Sequence, residues 1–92
     1  MSYSIEWTPQ AKRAAKNIQQ DILYKFDKKL ITLSQKQNPG EGLKKIHTKK
    51  GMVLYSVREG EYRLFLTVDN GIMYIFVIGI GPRKVVYRKF QS

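Results

Sequence analysis

Residues 52–87, MVLYSVREGEYRLFLTVDNGIMYIFVIGIGPRKVVY, decide how this chain folds. Segments 52–57, 62–68 and 72–80 are mostly β-branched or aromatic, the side chains that pack best on a pleated surface, and the gaps between them carry turn chemistry. Glu59-Gly60 fills the first gap and Asp69-Asn70-Gly71 the second. The reading is a three-stranded antiparallel meander. Asn70-Gly71 is the sharper turn signal, because a tight hairpin needs positive φ and Asn and Gly reach it at the lowest cost. Alternation puts Tyr62, Leu64, Leu66 and Val68 on one face and Arg63, Phe65 and Thr67 on the other, so Arg63 points away from the more apolar side. The last segment is apolar on both sides, with Ile72, Tyr74, Phe76, Ile78 and Ile80 against Met73, Ile75 and Val77. That suits an interior strand whose second face is partly covered. Gly79 and Gly81 are expected to bend the chain and Pro82 to end regular pairing. Arg83, Lys84, Tyr87, Arg88 and Lys89 then follow as a basic tail close to the sheet end.

Upstream, Tyr3, Ile5 and Trp7 alternate with Ser2, Ser4 and Glu6, the period-two pattern of a short strand with one buried face. Thr8-Pro9 starts a helix, with Thr8 as cap and Pro9 at the first position, where its missing N–H costs nothing. Ala11, Ala14, Ala15 and Ile18 make its thin apolar stripe. Asp21 is placed to cap a second helix, whose Leu23, Phe26, Leu30 and Leu33 give a stronger stripe. Between them, residues 17–21 contain no Gly or Pro, which leaves two helices or one kinked helix equally open. Residues 38–42, NPGEG, end the helical region. Residues 43–51, LKKIHTKKG, read as a basic connector anchored by Leu43 and Ile46. Amphipathic helices and a three-stranded sheet each need a partner for their apolar sides, so the helices belong on the sheet. The fold class is α+β, ordered β-α-α-β-β-β, with two N-terminal helices packed on one face of a small, mainly antiparallel sheet. Residues 1–92 are expected to form a single domain, with no repeat and no linker.

Composition limits the chemistry. Against 17 Lys and Arg stand 7 Asp and Glu, a formal net charge of +10, which attracts polyanions, nucleic acid first among them. The chain has no cysteine, which removes disulfides, thiolate nucleophiles and thiolate metal sites and fits a reducing cytoplasmic location. The N-terminal residues show no export signal, and no apolar run is long enough to span a bilayer. With His47 the single histidine and the carboxylates scattered, no metal site or cofactor is expected. No phosphate-binding glycine loop precedes a helix, and no serine sits in a nucleophile elbow. His47, with no orienting partner in view, reads as a connector residue.

What remains is a cationic and phenolic set: Arg63 on a strand, Arg83 and Tyr87 in the tail, Arg58 at the turn, and Lys49 and Lys50 before the sheet. Cleaving RNA needs no protein nucleophile, because the neighbouring 2′-OH can attack phosphorus. The protein has to remove that proton, hold the phosphate in line, neutralise charge on its oxygens and protonate the leaving 5′ oxygen. Arginine suits the third task through bidentate contacts. A tyrosine among cations can exchange protons, stack on a base, or simply anchor the tail. Lys44, Lys45, Lys49, Lys50, Arg58 and Lys84 are most economically an RNA-tracking patch.

The element order, together with the quoted stretch, resembles the RelE/ParE toxin superfamily of toxin–antitoxin systems. Arg58 and Tyr62-Arg63 match that family's R-x-G-x-Y-R segment, with the glycine one place later at Gly60, and Gly81, Arg83 and Tyr87 match its closing G-x-R-x-x-x-Y. The resemblance implies a toxin whose relatives in the endonuclease branch cut messenger RNA in the ribosomal A site without metal. It also implies a cognate antitoxin as partner, alongside ribosome and messenger RNA. Carried over, Arg63 and Arg83 would hold and stabilise the scissile phosphate, and Tyr87 would transfer a proton or stack the A-site base. Endonuclease members often carry lysines on the strand before the Tyr-Arg pair, where this chain has Leu54 and Ser56; Lys49, Lys50 or Arg58 are candidates to replace them. The alternatives are a ParE-like toxin that inhibits DNA gyrase and is not an enzyme, and a basic RNA-binding domain that cuts nothing. Tyr87 favours the nuclease branch.

Overall fold

The computed structural model describes residues 2–90. In chain order the elements are β1 (Ser4–Trp7), α1 (Pro9–Ala15), α2 (Gln20–Ser34), β2 (Lys44–His47), β3 (Val53–Glu59), β4 (Tyr62–Asp69), β5 (Tyr74–Pro82) and α3 (Arg83–Phe90). The strands form one sheet in the order β1-β5-β4-β3-β2, with β1 parallel to β5 and the other pairs antiparallel. The α+β class holds, and α1 and α2 cover one sheet face as their apolar stripes require. Two elements are additional. The expected basic connector contains the edge strand β2, and the expected basic tail is the helix α3.

The starts of the helices follow from local chemistry. Thr8 Oγ1 accepts from the Ala11 N–H at 3.2 Å and Pro9 takes the first helical position. The chain leaves the helix after Ala15, and the backbone N–H groups of Asn17 and Ile18 bond back to Ala14 and Ala15. Two helices, rather than one kinked helix, result. The cap of α2 is Gln19 and not the expected Asp21, which sits in the first turn, where its carboxylate still complements the positive end of the helix.

The main core lies between helices and sheet. Phe26 and Leu30 of α2 meet Leu64, Leu66, Ile75 and Val77, all fully buried. At the end of β3, Lys29 Nζ pairs with Glu59 Oε2 at 2.8 Å and donates to the Arg58 carbonyl, tying α2 to the strand.

Three expectations about β5 are corrected. The strand begins at Tyr74 rather than Ile72, because a four-residue turn precedes it. Asp69 Oδ1 accepts from the N–H groups of Gly71 and Ile72 at 2.9 and 3.2 Å, and positive φ falls on Met73 (57°), not on Asn70 or Gly71. Asn70 instead accepts a 2.7 Å hydrogen bond from the Tyr3 hydroxyl. Second, the strand runs past Ile80 to Pro82, opposite Tyr62, and ends there, at the proline expected to end the pairing. Third, Phe65 pairs with Gly79 while Leu66 pairs with Val77, so Ile78 is an extra residue. The resulting bulge shifts the alternation by one place. Ile80 therefore joins Ile75 and Val77 in the main core, while Ile78 stays on the opposite face.

Candidate active site

The sheet face away from α1 and α2 is partly covered by α3. Val86 packs there with Ile46, Leu54 and Phe65, all buried, and Ile78 and Tyr87 border this second, smaller core. Gly81 lets α3 lie so close: a Cβ at that position would stand 2.8 Å from Val86 Cγ2. The first N–H of the helix is satisfied by the Glu61 carbonyl in the β3–β4 turn, at 2.9 Å. Gly81→Ala is expected to push α3 off the sheet and cost about 1–3 kcal/mol. Urea unfolding measures this, and an unchanged midpoint would show that α3 yields freely.

Seated this way, α3 holds Tyr87 half-buried over the sheet. Its ring stands edge-on to Phe65, with centroids 5.4 Å apart and planes at 80°. Three cations surround it from three different elements. Lys44 of β2 donates to Tyr87 Oη at 3.1 Å and lies 5.0 Å from the ring centroid. The guanidinium carbons of Arg63 on β4 and Arg83 on α3 lie 5.6 and 6.0 Å from the same centroid. Lys44, Arg83, Lys84 and Tyr87 line a cleft of about 290 Å³.

The electrostatics follow from this crowding. Partial burial works against ionisation of the Tyr87 phenol, but hydrogen bonds from Lys44 and Ser56 and the charges of Arg63 and Lys44 outweigh it. The phenol ionises below the usual tyrosine value. Arg63 Nη1 donates to Ser56 Oγ at 3.0 Å, so Ser56 links guanidinium and phenol. Arg63 Nε is buried with no hydrogen-bond partner among the described residues. Such an orphan donor costs about 1–3 kcal/mol.

Of the residues singled out in the sequence, Arg63, Arg83, Tyr87, Lys44 and Lys84 come together at this cleft. Arg58 is opposite Arg63 on the same face, exposed, with Nε directed at the Gly60 carbonyl at 3.4 Å. Lys45 pairs with Tyr55 and points to the helix-covered side, the reverse of Lys44. Lys49 and Lys50 occupy the turn 48–52 at the far end of the β2–β3 hairpin, and exposed His47 borders that end. Leu54 and Ser56 are buried beside β2 and the second core, which leaves no room for lysines at those two positions. Ser56 and Phe65, which support the tyrosine from below, carry no signal in the sequence that separates them from ordinary strand residues. Among the described residues, no three His, Asp or Glu side chains gather as a metal site, and no helix is long and apolar enough to cross a membrane.

No protein-family model and no curated protein matches the sequence. Solved structures do match. A RelBE toxin–antitoxin complex from Mycobacterium tuberculosis aligns over 90% of this chain and 93% of its own, with a TM-score of 0.74 and 21% identity. An arginine-to-alanine double mutant of Escherichia coli RelE in the free state aligns over 99% and 96%, with a TM-score of 0.73 and 19% identity. The RelE–RelB complex of Pyrococcus horikoshii aligns over 90% and 97%, with a TM-score of 0.70 and 22% identity. With TM-scores of 0.70–0.74 and coverage of 90% or more of both chains, this chain has the RelE toxin fold.

Proposed function

We propose that this chain is a single-domain toxin of a toxin–antitoxin system, acting in the cytoplasm as a metal-independent endoribonuclease on messenger RNA held in the ribosome. The observation that carries the reading is the gathering of Lys44, Arg63 and Arg83 around the Tyr87 phenol, on the sheet face that α1 and α2 leave open. A phenol that ionises below its usual value, beside fixed cations, suits the base that 2′-OH attack needs. Tyr87 Oη, as phenolate, takes the 2′-OH proton; the 2′ oxygen bonds to phosphorus as the bond to the 5′ oxygen breaks, and the leaving 5′ oxygen takes a proton from water, to which Tyr87 later returns its own. The products are a 2′,3′-cyclic phosphate and a 5′-hydroxyl end. Arg63 and Arg83 neutralise the charge on the non-bridging oxygens. For Arg63 this involves turning its guanidinium toward the phosphate, which would relieve the buried Nε.

The antitoxin partner is supported by similarity to toxins solved in complex with RelB. It is also supported by the half-exposed strip of Tyr74, Phe76 and Ile78 on β5, preceded by exposed Ile72, an apolar surface that a partner chain would cover.

Mapping messenger RNA 5′ ends after induction tests the reading. New ends inside translated codons, absent from untranslated transcripts, are the expected result. DNA damage without such ends would overturn it in favour of a gyrase-directed toxin.

A further inference from the structure

Lys44 lies on an exposed edge strand, in a run of lysines that looks like one solvated basic patch. Its neighbours show otherwise. Cross-strand register places Lys44 beside Ser56, and Lys45 turns to the other face, so one lysine of the pair is selected for the site. Lys44 Nζ meets Tyr87 twice, through the 3.1 Å hydrogen bond to the hydroxyl and by lying 5.0 Å from the ring centre. The β3 residues on this side next to Lys44, Leu54 and Ser56, are buried and carry no charge.

We propose that Lys44 is the positioning residue of the site, holding Tyr87 Oη in place and stabilising it as phenolate from the edge strand β2. The inference rests on the nuclease reading for its use in cleavage, but not for its effect on Tyr87. In the reaction Lys44 keeps its own proton throughout. It favours the charged form of the phenol, and Tyr87 alone exchanges a proton with the 2′-OH. The charged and titratable groups facing Tyr87 are Lys44 from β2, Arg63 from β4, and Arg83 and Lys84 from α3; β3 contributes only the neutral Ser56. Of the four cations, Lys44 is the one hydrogen-bonded to the phenolic oxygen. The direction of the phenol's shift agrees with this placement.

The test is titration of the whole chain labelled with ¹³Cζ-tyrosine, with Tyr87→Phe identifying the Tyr87 signal and no RNA present. Lys44→Met is expected to raise the pH at which Tyr87 ionises by about one unit, and Lys44→Arg, which keeps the charge, to restore most of the shift. In a cleavage assay the pH at which the rate levels off should move upward in Lys44→Met by the same amount. An unchanged Tyr87 titration in Lys44→Met overturns the proposal, whether or not the protein cuts RNA. A wild-type protein that cuts no RNA, yet whose Tyr87 titration shifts in Lys44→Met, overturns the nuclease reading and leaves the positioning role standing.

Discussion

Arg83→Ala should lower the single-turnover rate of messenger RNA cleavage by roughly a hundredfold or more while leaving the thermal unfolding temperature unchanged. Arg83 is exposed, its guanidinium makes no hydrogen bond among the described residues, and it lies 6.0 Å from the centre of the Tyr87 ring. Removing it takes nothing from the core, so the loss falls on the transition state. A hundredfold corresponds to about 2.7 kcal/mol, within what one charge-stabilising group supplies in an enzyme site. Arg63→Ala should lose a similar factor by a different route. Its Nη1 holds Ser56 and its Nε is an orphan donor, so the variant sheds one hydrogen bond and one buried cost together, and stability should change little. Arg63→Lys should recover little of the rate, since an ammonium lacks the planar fork that grips two phosphate oxygens. Rates are measured on ribosome-bound message at saturating toxin. A variant of either arginine that cuts at the wild-type rate would remove its assigned role.

The sequence announces the parts of this fold whose signal is local. Alternation along β4 is strict, so Arg63 and Phe65 are correctly turned away from Leu64 and Leu66. The Leu23–Phe26–Leu30–Leu33 spacing and the Thr8-Pro9 start are equally local, and both helices form on them. What hides is non-local. Strand β2 has four residues and a single buried side chain, Ile46, too little periodicity to distinguish it from a basic loop. Helix α3 contains two valines and a tyrosine, residues that favour strands, and it is helical because Gly81 and Val86 let it dock on a patch built by three other strands. The bulge at Ile78 is a property of the β4–β5 pair and is written in neither strand alone.

The candidate site divides along the same line. Arg63, Arg83 and Tyr87 stand out in the sequence through the resemblance to the RelE/ParE segments. Lys44 stands out there only as one lysine of a basic run, because what sets it apart is its register with Ser56 across an edge strand that the sequence does not disclose. At the two β3 positions where a lysine would be sought stand Leu54 and Ser56, and those two residues serve a different purpose. The face that holds α3, and through it Tyr87, needs an apolar floor and a small hydroxyl under the phenol. A lysine at either position would bury an ammonium beneath Val86 or displace the Arg63–Ser56 contact. The positive charge therefore has to enter from the side, on β2.

The second large effect concerns Tyr87 itself. Tyr87→Phe keeps the ring against Phe65 and beneath the cations but removes the group that exchanges a proton, so the fold should survive and the rate near neutral pH should fall by roughly 10²–10⁴-fold. The direction of the pH dependence follows from the direction of the phenol's shift. Because Tyr87 ionises below the usual tyrosine value, the active phenolate fraction grows as pH rises toward that lowered point. The rate of the chemical step should climb about tenfold per pH unit below it and level off above it. In Tyr87→Phe the climb should vanish along with the rate. Tyr87→Ala separates proton transfer from stacking. If the ring mainly holds a base, Phe should keep nearly full activity and Ala should lose it, with no change in the slope of the pH profile. If the hydroxyl is the base, Phe and Ala should be almost equally slow, because the 5.4 Å edge contact with Phe65 places a ring but moves no proton.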